Sequence, residues 1–294
     1  MIFRKPRITL LDIAVTVLLL GAGFFLYIRI VKGLDYNWEW SFILNYIYRY
    51  DEQAGSWVPG MLMRGFFATI RLSIWATLLA IFLGTIIGLF RTSSNLLQRL
   101  LGFSYVQTIR NLPPLVLIFI FYFFVSDQIM PVLGVDDFFR NRSQETQNIL
   151  AFLFAPAGQF SSFLAAVFTL AIYEAAYIAE IIRGGINSIS KGQWEASAAL
   201  GFSRRQQIWL VILPQAYQRC LPPLAGQFIS TIKDSAIVSV ISIQELTFQG
   251  MELMAATYKT FEIWITITIL YLTLTFTCSK IIGRLEKRQA RKFR

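Results

Sequence analysis

Residues 173–214 read YEAAYIAEIIRGGINSISKGQWEASAALGFSRRQQIWLVILP, and the rest of the chain is arranged around them. An apolar run ends at Arg183. After Gly184 and Gly185, Ser190-Lys191-Gly192-Gln193 has the Ser-x-x-Gln pattern of a capping box, which satisfies orphan N–H groups at a helix start. Glu195 to Leu200 are mostly good helix formers. Gly201 is the natural residue to stop them, because it reaches left-handed dihedrals at no steric cost. Ser203-Arg204-Arg205-Gln206 is a second capping box, so a new helix starts at once and runs apolar to Leu213-Pro214. The segment predicts helix, sharp bend, helix. Ala196 and Ala199 give this elbow a small face and Arg204 and Arg205 a basic one, a shape suited to being gripped from the cytosol.

Glu195-Ala196-Ser197, then Gly201 after three residues, then Val211-x-Leu213-Pro214 after nine more, resembles the EAA loop of the permease subunits of ABC-type importers. The flanks Ala176-Tyr177-Ile178-Ala179-Glu180, Lys191-Gly192-Gln193 and Pro214-Gln215-Ala216 resemble the polar amino acid branch of that family. Ser197 stands where the family usually has Ala, and Val211 where it often has Ile. The resemblance implies an all-α polytopic protein with a core five-helix type I importer fold. It implies a second permease protomer, identical or homologous, two ATPase subunits that bind ATP and Mg, and an extracytoplasmic solute-binding protein. By the same resemblance Glu195 makes a charged contact to the ATPase, Ala196 and Ala199 seat closely, Gly201 makes the bend, and Arg204 joins the contact. The core would be 61–284, preceded by an added span and aromatic loop at 1–60 and followed by a basic cytoplasmic tail at 285–294.

At 294 residues, 55% hydrophobic, 15% charged and with a mean hydropathy of +0.55, the chain is too apolar for a soluble domain and reads as an integral membrane protein. Its net charge of +10 sits at span ends and in the tail, which fits lipid headgroups and topology rather than nucleic acid. There is no His, and the two Cys, Cys220 and Cys278, are far apart in apolar settings, so neither a metal site nor a disulfide framework is supported. The run from Ile8 to Val31 is long for a signal-peptide core and lacks an Ala-x-Ala step, so it is expected to be a retained span.

A crossing helix needs about 20 apolar residues, which gives spans near 9–31, 65–90, 105–126, 160–183, 224–243 and 261–283. Arg4, Lys5, Arg7, Arg91, Arg99, Arg110, Arg183, Lys191, Arg204, Arg205 and the tail Arg284, Lys287, Arg288, Arg291, Lys292 and Arg294 fall on one side. Asp35, Glu39, Asp51, Glu52, Asp127, Asp136, Asp137 and Glu145 fall on the other. The positive-inside rule puts both termini in the cytoplasm. Trp38, Trp40, Tyr46, Tyr48, Tyr50 and Trp57 mark 32–60 as an interfacial segment. Gly84 and Gly88 form a GxxxG, read either as close packing against a neighbouring helix or protomer or as a chance pair. Arg64 and Arg71 are expected to snorkel. Pro113-Pro114 either kinks the third span or marks a late helix start. From Gln206 to Ile243 a straight helix would run roughly 57 Å, so a break at Pro214, Pro222 and Pro223 is expected, with re-entry near Leu224.

A mid-bilayer charge costs on the order of 2.5–3.5 kcal/mol, so Lys233-Asp234-Ser235 in an apolar span needs partners. Tyr173, Tyr177 and Glu180 share a helical face, with Glu174 beside them. One reading makes Glu174, Tyr173, Tyr177, Lys233, Asp234 and Ser235 a translocation path for a zwitterionic substrate. The other is a buried ion-pair set fixing helix register, with Glu180 and Arg183 paired at i, i+3. No G-x-x-x-x-G-K-[ST] occurs, so ATP hydrolysis of that kind falls to a partner. An ion-coupled carrier, using Lys233, Asp234 and Glu174 as ion or proton sites, is the alternative; no inverted repeat speaks for it. A membrane enzyme is disfavoured for want of a nucleophile-base or metal-ligand set.

Overall fold

The structure, a computed structural model, describes residues 9–33, 36–52 and 55–292. Arg4, Lys5, Arg7, Asp35 and Arg294 of the topology argument lie outside them, as do the side chains of Lys287, Arg288, Arg291 and Lys292. The chain divides into two units, Met1–Trp40 and Ser41–Arg294. The first holds α1 (Leu10–Gly33), whose side chains from Leu10 to Tyr27 are all exposed, as suits a helix whose solvent is lipid. Asp12 accepts from the Thr9 backbone N–H and hydroxyl, each at 2.8 Å, closing its first turn. Trp38 and Trp40 stack with centroids 5.9 Å apart.

The second unit begins with α2 (Ile43–Ile47) and an antiparallel hairpin, β1 (Tyr48–Asp51) and β2 (Ser56–Pro59). The long α3 (Met61–Thr92) follows, then α4 (Leu96–Asn111) and α5 (Pro114–Phe124). A π-helical turn at Val125–Ile129 leads to three short helices, α6 (Met130–Val132), α7 (Val135–Arg140) and α8 (Gln144–Leu153). Next come α9 (Phe160–Asn187), α10 (Lys191–Ala199) and α11 (Arg204–Gln206). A π-helical stretch, Gln207–Ile212, joins α11 to α12 (Leu213–Asp234). A 3₁₀ segment, Ser235–Ile241, then leads to α13 (Leu246–Thr257) and α14 (Thr260–Lys292). Among the described residues six helices are long and apolar enough to cross a membrane: Leu10–Arg29, Met61–Thr92, Pro114–Val132, Ala157–Asn187, Arg204–Ile241 and Thr260–Arg284. This matches the expected number.

The centre is α3 lying along α9. A Cβ on Gly84 would stand 2.9 Å from the Ala175 carbonyl oxygen and 2.7 Å from Ile178, and one on Gly88 2.8 Å from Ile182. The GxxxG therefore packs against a neighbouring helix of the same chain, where dispersion rather than the hydrophobic effect holds helices together. Leu72, Ile118 and Leu170 fill the core between α3, α5 and α9, and Ile178, Ile212, Ala216 and Cys220 the core between α9 and α12.

Three sequence expectations are corrected. The third span starts at Pro114 with Pro113 as its N-cap, the late-start alternative, and α4 is a separate helix. Proline at the first helical position costs nothing, since that N–H has no partner. The expected break after Pro214 does not occur: the helical run continues from Arg204 through Pro222 and Pro223 to Ile241. The π-helical stretch shifts the bonding register just ahead of Pro214, and α12 is held against α9, where Arg219 donates to the Ser188 carbonyl and Cys220 meets Gly185. Arg71 does not snorkel. It donates to the carbonyls of Ala151 (2.9 Å) and Phe152 (3.2 Å), while Trp75 Nε1 donates to Leu153 (2.9 Å), so α3 caps the C-terminal carbonyls of α8.

Glu245, between the fifth and sixth spans, is fully buried as the N-cap of α13 and accepts from the Phe248 N–H at 2.8 Å. It also accepts from Tyr271 of α14 (2.8 Å) and Thr69 of α3 (3.3 Å), tying three helices at one carboxylate. Burial pushes its pKa up to about 7, against these bonds.

Candidate functional site

The elbow is built as a Schellman turn. Gly201 has φ +79°, its N–H donates to the Ala198 carbonyl at 2.9 Å, and the Phe202 N–H reaches back to Ser197 at 3.2 Å. The second capping box is complete: Ser203 Oγ accepts from the Gln206 N–H (3.4 Å), and Gln206 Oε1 accepts from the Ser203 N–H (2.8 Å). The first is not. Ser190 is the N-cap of α10, but its side chain makes no capping bond, while Gln193 Oε1 accepts from Gln215 at 3.1 Å. The carboxamide is used between helices instead, which anchors α10 to α12.

One face of the elbow is committed to the body. Ser197 is 2% exposed and donates to the Trp194 carbonyl at 2.9 Å, so the residue that departs from the family pattern points inward with its hydroxyl satisfied. Buried Gln207 donates to the Phe202 carbonyl at 3.0 Å. The Arg204 guanidinium stacks 3.9 Å over the Trp194 ring, a cation–π contact that stiffens the elbow. Glu195, Ala196, Ala199, Leu200 and Arg205 are all exposed, with Leu200 at 75%. An apolar, small-faced tip held on a rigid bend has the geometry of a docking surface.

The proposed path residues are brought together in part. Glu174 is fully buried; Gln227 of α12 donates to its Oε2 at 2.7 Å, and Oε1 has no hydrogen-bond partner of good geometry. Asp234 and Thr231 are its near neighbours, and Tyr173 lies close to both carboxyls. Tyr173 and Tyr177 hydroxyls are 3.1 Å apart, and Arg110 lies 5.5 Å over the Tyr177 ring. Lys233 is exposed and touches the cluster only through its charge on Asp234, and Ser235 Oγ donates to its own helix at Ile232 (2.8 Å), so Ser235 does not join it. Adjacent helical residues diverge by about 100°, which is why Lys233 and Asp234 form no direct ion pair. Glu180 is paired with Arg183 at 2.8 Å and with Arg91 of α3, the register-fixing alternative.

The structure also exposes what a reading by residue type passes over. A cavity of about 830 Å³ lies between the start of α3 and α13, with Arg64, Gln159, Gln244, Gln249 and Glu252 in its wall. The signal was present in the sequence as four polar residues, Gln244, Glu245, Gln249 and Glu252, inside an apolar stretch.

Fold and site together define a polytopic α-helical membrane protein with an exposed, sharply bent elbow. Residues 76–291 match the model of the binding-protein-dependent transport system inner membrane component family. The chain is 35% identical over 222 residues to the glutamine transport system permease protein GlnP of Escherichia coli (strain K12), covering 74% of this chain and 90% of that protein. It is 33% identical over 233 residues to the probable glutamine ABC transporter permease protein GlnM of Bacillus subtilis (strain 168), covering 79% and 95%. A crystal structure of an amino acid ABC transporter with histidines superposes with a TM-score of 0.63 at 30% identity, over 86% of this chain and all of that one. The chain belongs to the binding-protein-dependent transport system inner membrane component family and is an ABC importer permease, a multi-pass inner membrane protein.

Proposed function

We propose that this chain is one half of the membrane pore of an ATP-driven importer of a polar amino acid, worked from the cytoplasmic side by its elbow. The observation that carries this is the exposed tip Glu195, Ala196, Ala199 and Leu200 on a bend fixed by Gly201 and by the Ser203–Gln206 box. Two ATPase subunits, binding ATP and Mg, would seat that tip in a cleft; a second permease protomer would complete the pore, and an extracytoplasmic solute-binding protein would deliver substrate. Both termini then lie in the cytoplasm. Residues 61–284 form the permease body, 1–60 an added span and loop, and 285–294 a basic tail that meets anionic headgroups.

Names of relatives that refer to glutamine, and the histidines in the superposed structure, support an amino acid as cargo. Glu174, Asp234, Tyr173 and Tyr177 supply carboxyl and hydroxyl groups at membrane depth, which suits a zwitterion with a polar side chain. Rocking of the spans about the α3–α9 pair would expose that cluster to each side in turn. Uptake by the purified complex in sealed proteoliposomes tests the reading. Accumulation of a polar amino acid that requires enclosed ATP and the ATPase partner is expected; uptake driven by an ion gradient alone would replace it with the carrier.

A further inference from the structure

Among the described residues, left-handed backbone at a residue other than glycine occurs at Ser242 (φ 61°) and Tyr258 (φ 59°), and the two flank one helix, α13. Both are helix-ending positions that favour glycine or asparagine. The Ser242 N–H donates to the Ser239 carbonyl at 3.1 Å, closing the 3₁₀ segment, and the Tyr258 N–H donates to the Met254 carbonyl at 2.9 Å, closing α13. Tyr258 is 84% exposed, so burial of its ring does not hold it there. Backbone strain of this kind gathers at switch regions, where a second conformation relieves it.

Between these two joints α13 is a fitted wedge. A Cβ on Gly65 of α3 would stand 2.9 Å from Leu246 Cα, and one on Gly250 would run into Ile267 of α14. One fully buried carboxyl fastens the wedge on both sides: Glu245 accepts from Thr69 of α3 and Tyr271 of α14 while it caps α13 through the Phe248 N–H. The charged residues on these elements stand elsewhere. Arg71 serves the end of α8, Arg64 and Glu252 are exposed, Glu262 lies in the first turn of α14, and Lys280 lies toward its other end. The Ser235–Ile241 segment carries no titratable side chain. Burial holds the Glu245 pKa at about 7, and contact with water would return it to the ordinary 4.5. The seated wedge therefore binds this proton more tightly than a lifted one; seating is fully favoured below about pH 4.5 and loses that advantage as pH rises to about 7.

We infer that α13 is an outer flap of the pore, jointed at Ser242 and Tyr258, and that Glu245 is the latch that seats it between α3 and α14 until the carboxyl loses its proton. The inference rests on the importer reading, which places the link between the fifth and sixth spans on the side opposite the elbow. Glu245 acts through α13, so it is a positioning residue. An acidic exterior keeps the flap down, and a neutral one frees it.

Electron paramagnetic resonance distances between nitroxides at Phe67→Cys and Glu252→Cys, exposed positions on α3 and α13, read the flap in the assembled complex lacking Cys220 and Cys278. In the otherwise wild-type chain a longer-distance population is expected to grow by up to about tenfold per pH unit between about 4.5 and 7. Glu245→Gln keeps an acceptor and cannot ionise; it is expected to hold the short distance at every pH and to make ATP-driven uptake indifferent to this titration. Tyr258→Gly relaxes the seated backbone and is expected to lower the longer population about fivefold or more, with the pH response kept. A distance that ignores pH without the Glu245 change, the same pH response in Glu245→Gln, or an unmoved population in Tyr258→Gly overturns the inference while the importer reading stands. Absence of ATP-driven uptake of any amino acid overturns the importer reading and the assignment of the flap to its pore.

Discussion

Gly201 holds a backbone conformation, φ +79°, that a Cβ makes costly, although no atom lies within 4 Å of where that Cβ would be. The requirement is conformational and not steric. Gly201→Ala is expected to destabilise the bend by about 1 kcal/mol. Gly201→Pro, whose ring fixes φ near −65° and deletes the N–H bonded to Ala198, straightens it. The proline variant is expected to insert normally, to hydrolyse ATP with its partners, and to import nothing, measured as amino acid moved per ATP consumed. Full import in that variant would show that the bend transmits no force. Gly84 presents the opposite case, a glycine required by space. Gly84→Ala places a Cβ 2.9 Å from the Ala175 carbonyl oxygen and is expected to cost about 1–3 kcal/mol in thermal unfolding in detergent. Gly184→Ala, within α9 and with nothing within 4 Å, is the control without a clash and is expected to cost nothing.

Among the elements, α13 is the most conditional, because one buried carboxylate caps it and holds it to α3 and α14. The Glu245 pKa stands at about 7 in the folded chain against an ordinary 4.5, chiefly through burial. The folded protein therefore holds this proton more tightly than the unfolded chain does, and stability falls as pH rises from about 4.5 to about 7, then levels off. The apparent melting temperature in detergent is expected to drop by a few degrees across that window. Glu245→Gln, which keeps an acceptor and cannot ionise, should flatten the profile; a wild-type profile unchanged in the variant would assign the titration elsewhere. The run Arg204–Ile241 shows a different lesson at the same scale. Counting prolines predicted a broken element, but an isolated proline rule assumes a helix that must bond to itself, and here a π-helical stretch and contacts with α9 carry the chain through.

For the whole molecule, the topology proposal requires the elbow and the α7–α8 region to face opposite compartments. In a background lacking Cys220 and Cys278, Leu200→Cys is expected to react with a membrane-impermeant maleimide only when the cytoplasmic side is open, and Phe138→Cys only from outside; both positions are well exposed. Labelling of both from one side would overturn the proposed orientation. The paired core α3–α9 should meanwhile resist detergent, since its contacts are backbone-close along Gly84 and Gly88.

The residue order by itself settled the class of the molecule, the number of crossing helices and the elbow around Gly201. These depend on local chemistry: runs of apolar residues long enough for a bilayer, a hydroxyl three residues ahead of a carboxamide, and a residue free to take positive φ. Only the folded arrangement decided that Arg71 caps α8, and that Ser235 serves its own helix while Asp234 lies by Glu174. Those outcomes depend on which helix faces come together, and residues 71 and 152 are made neighbours by packing alone.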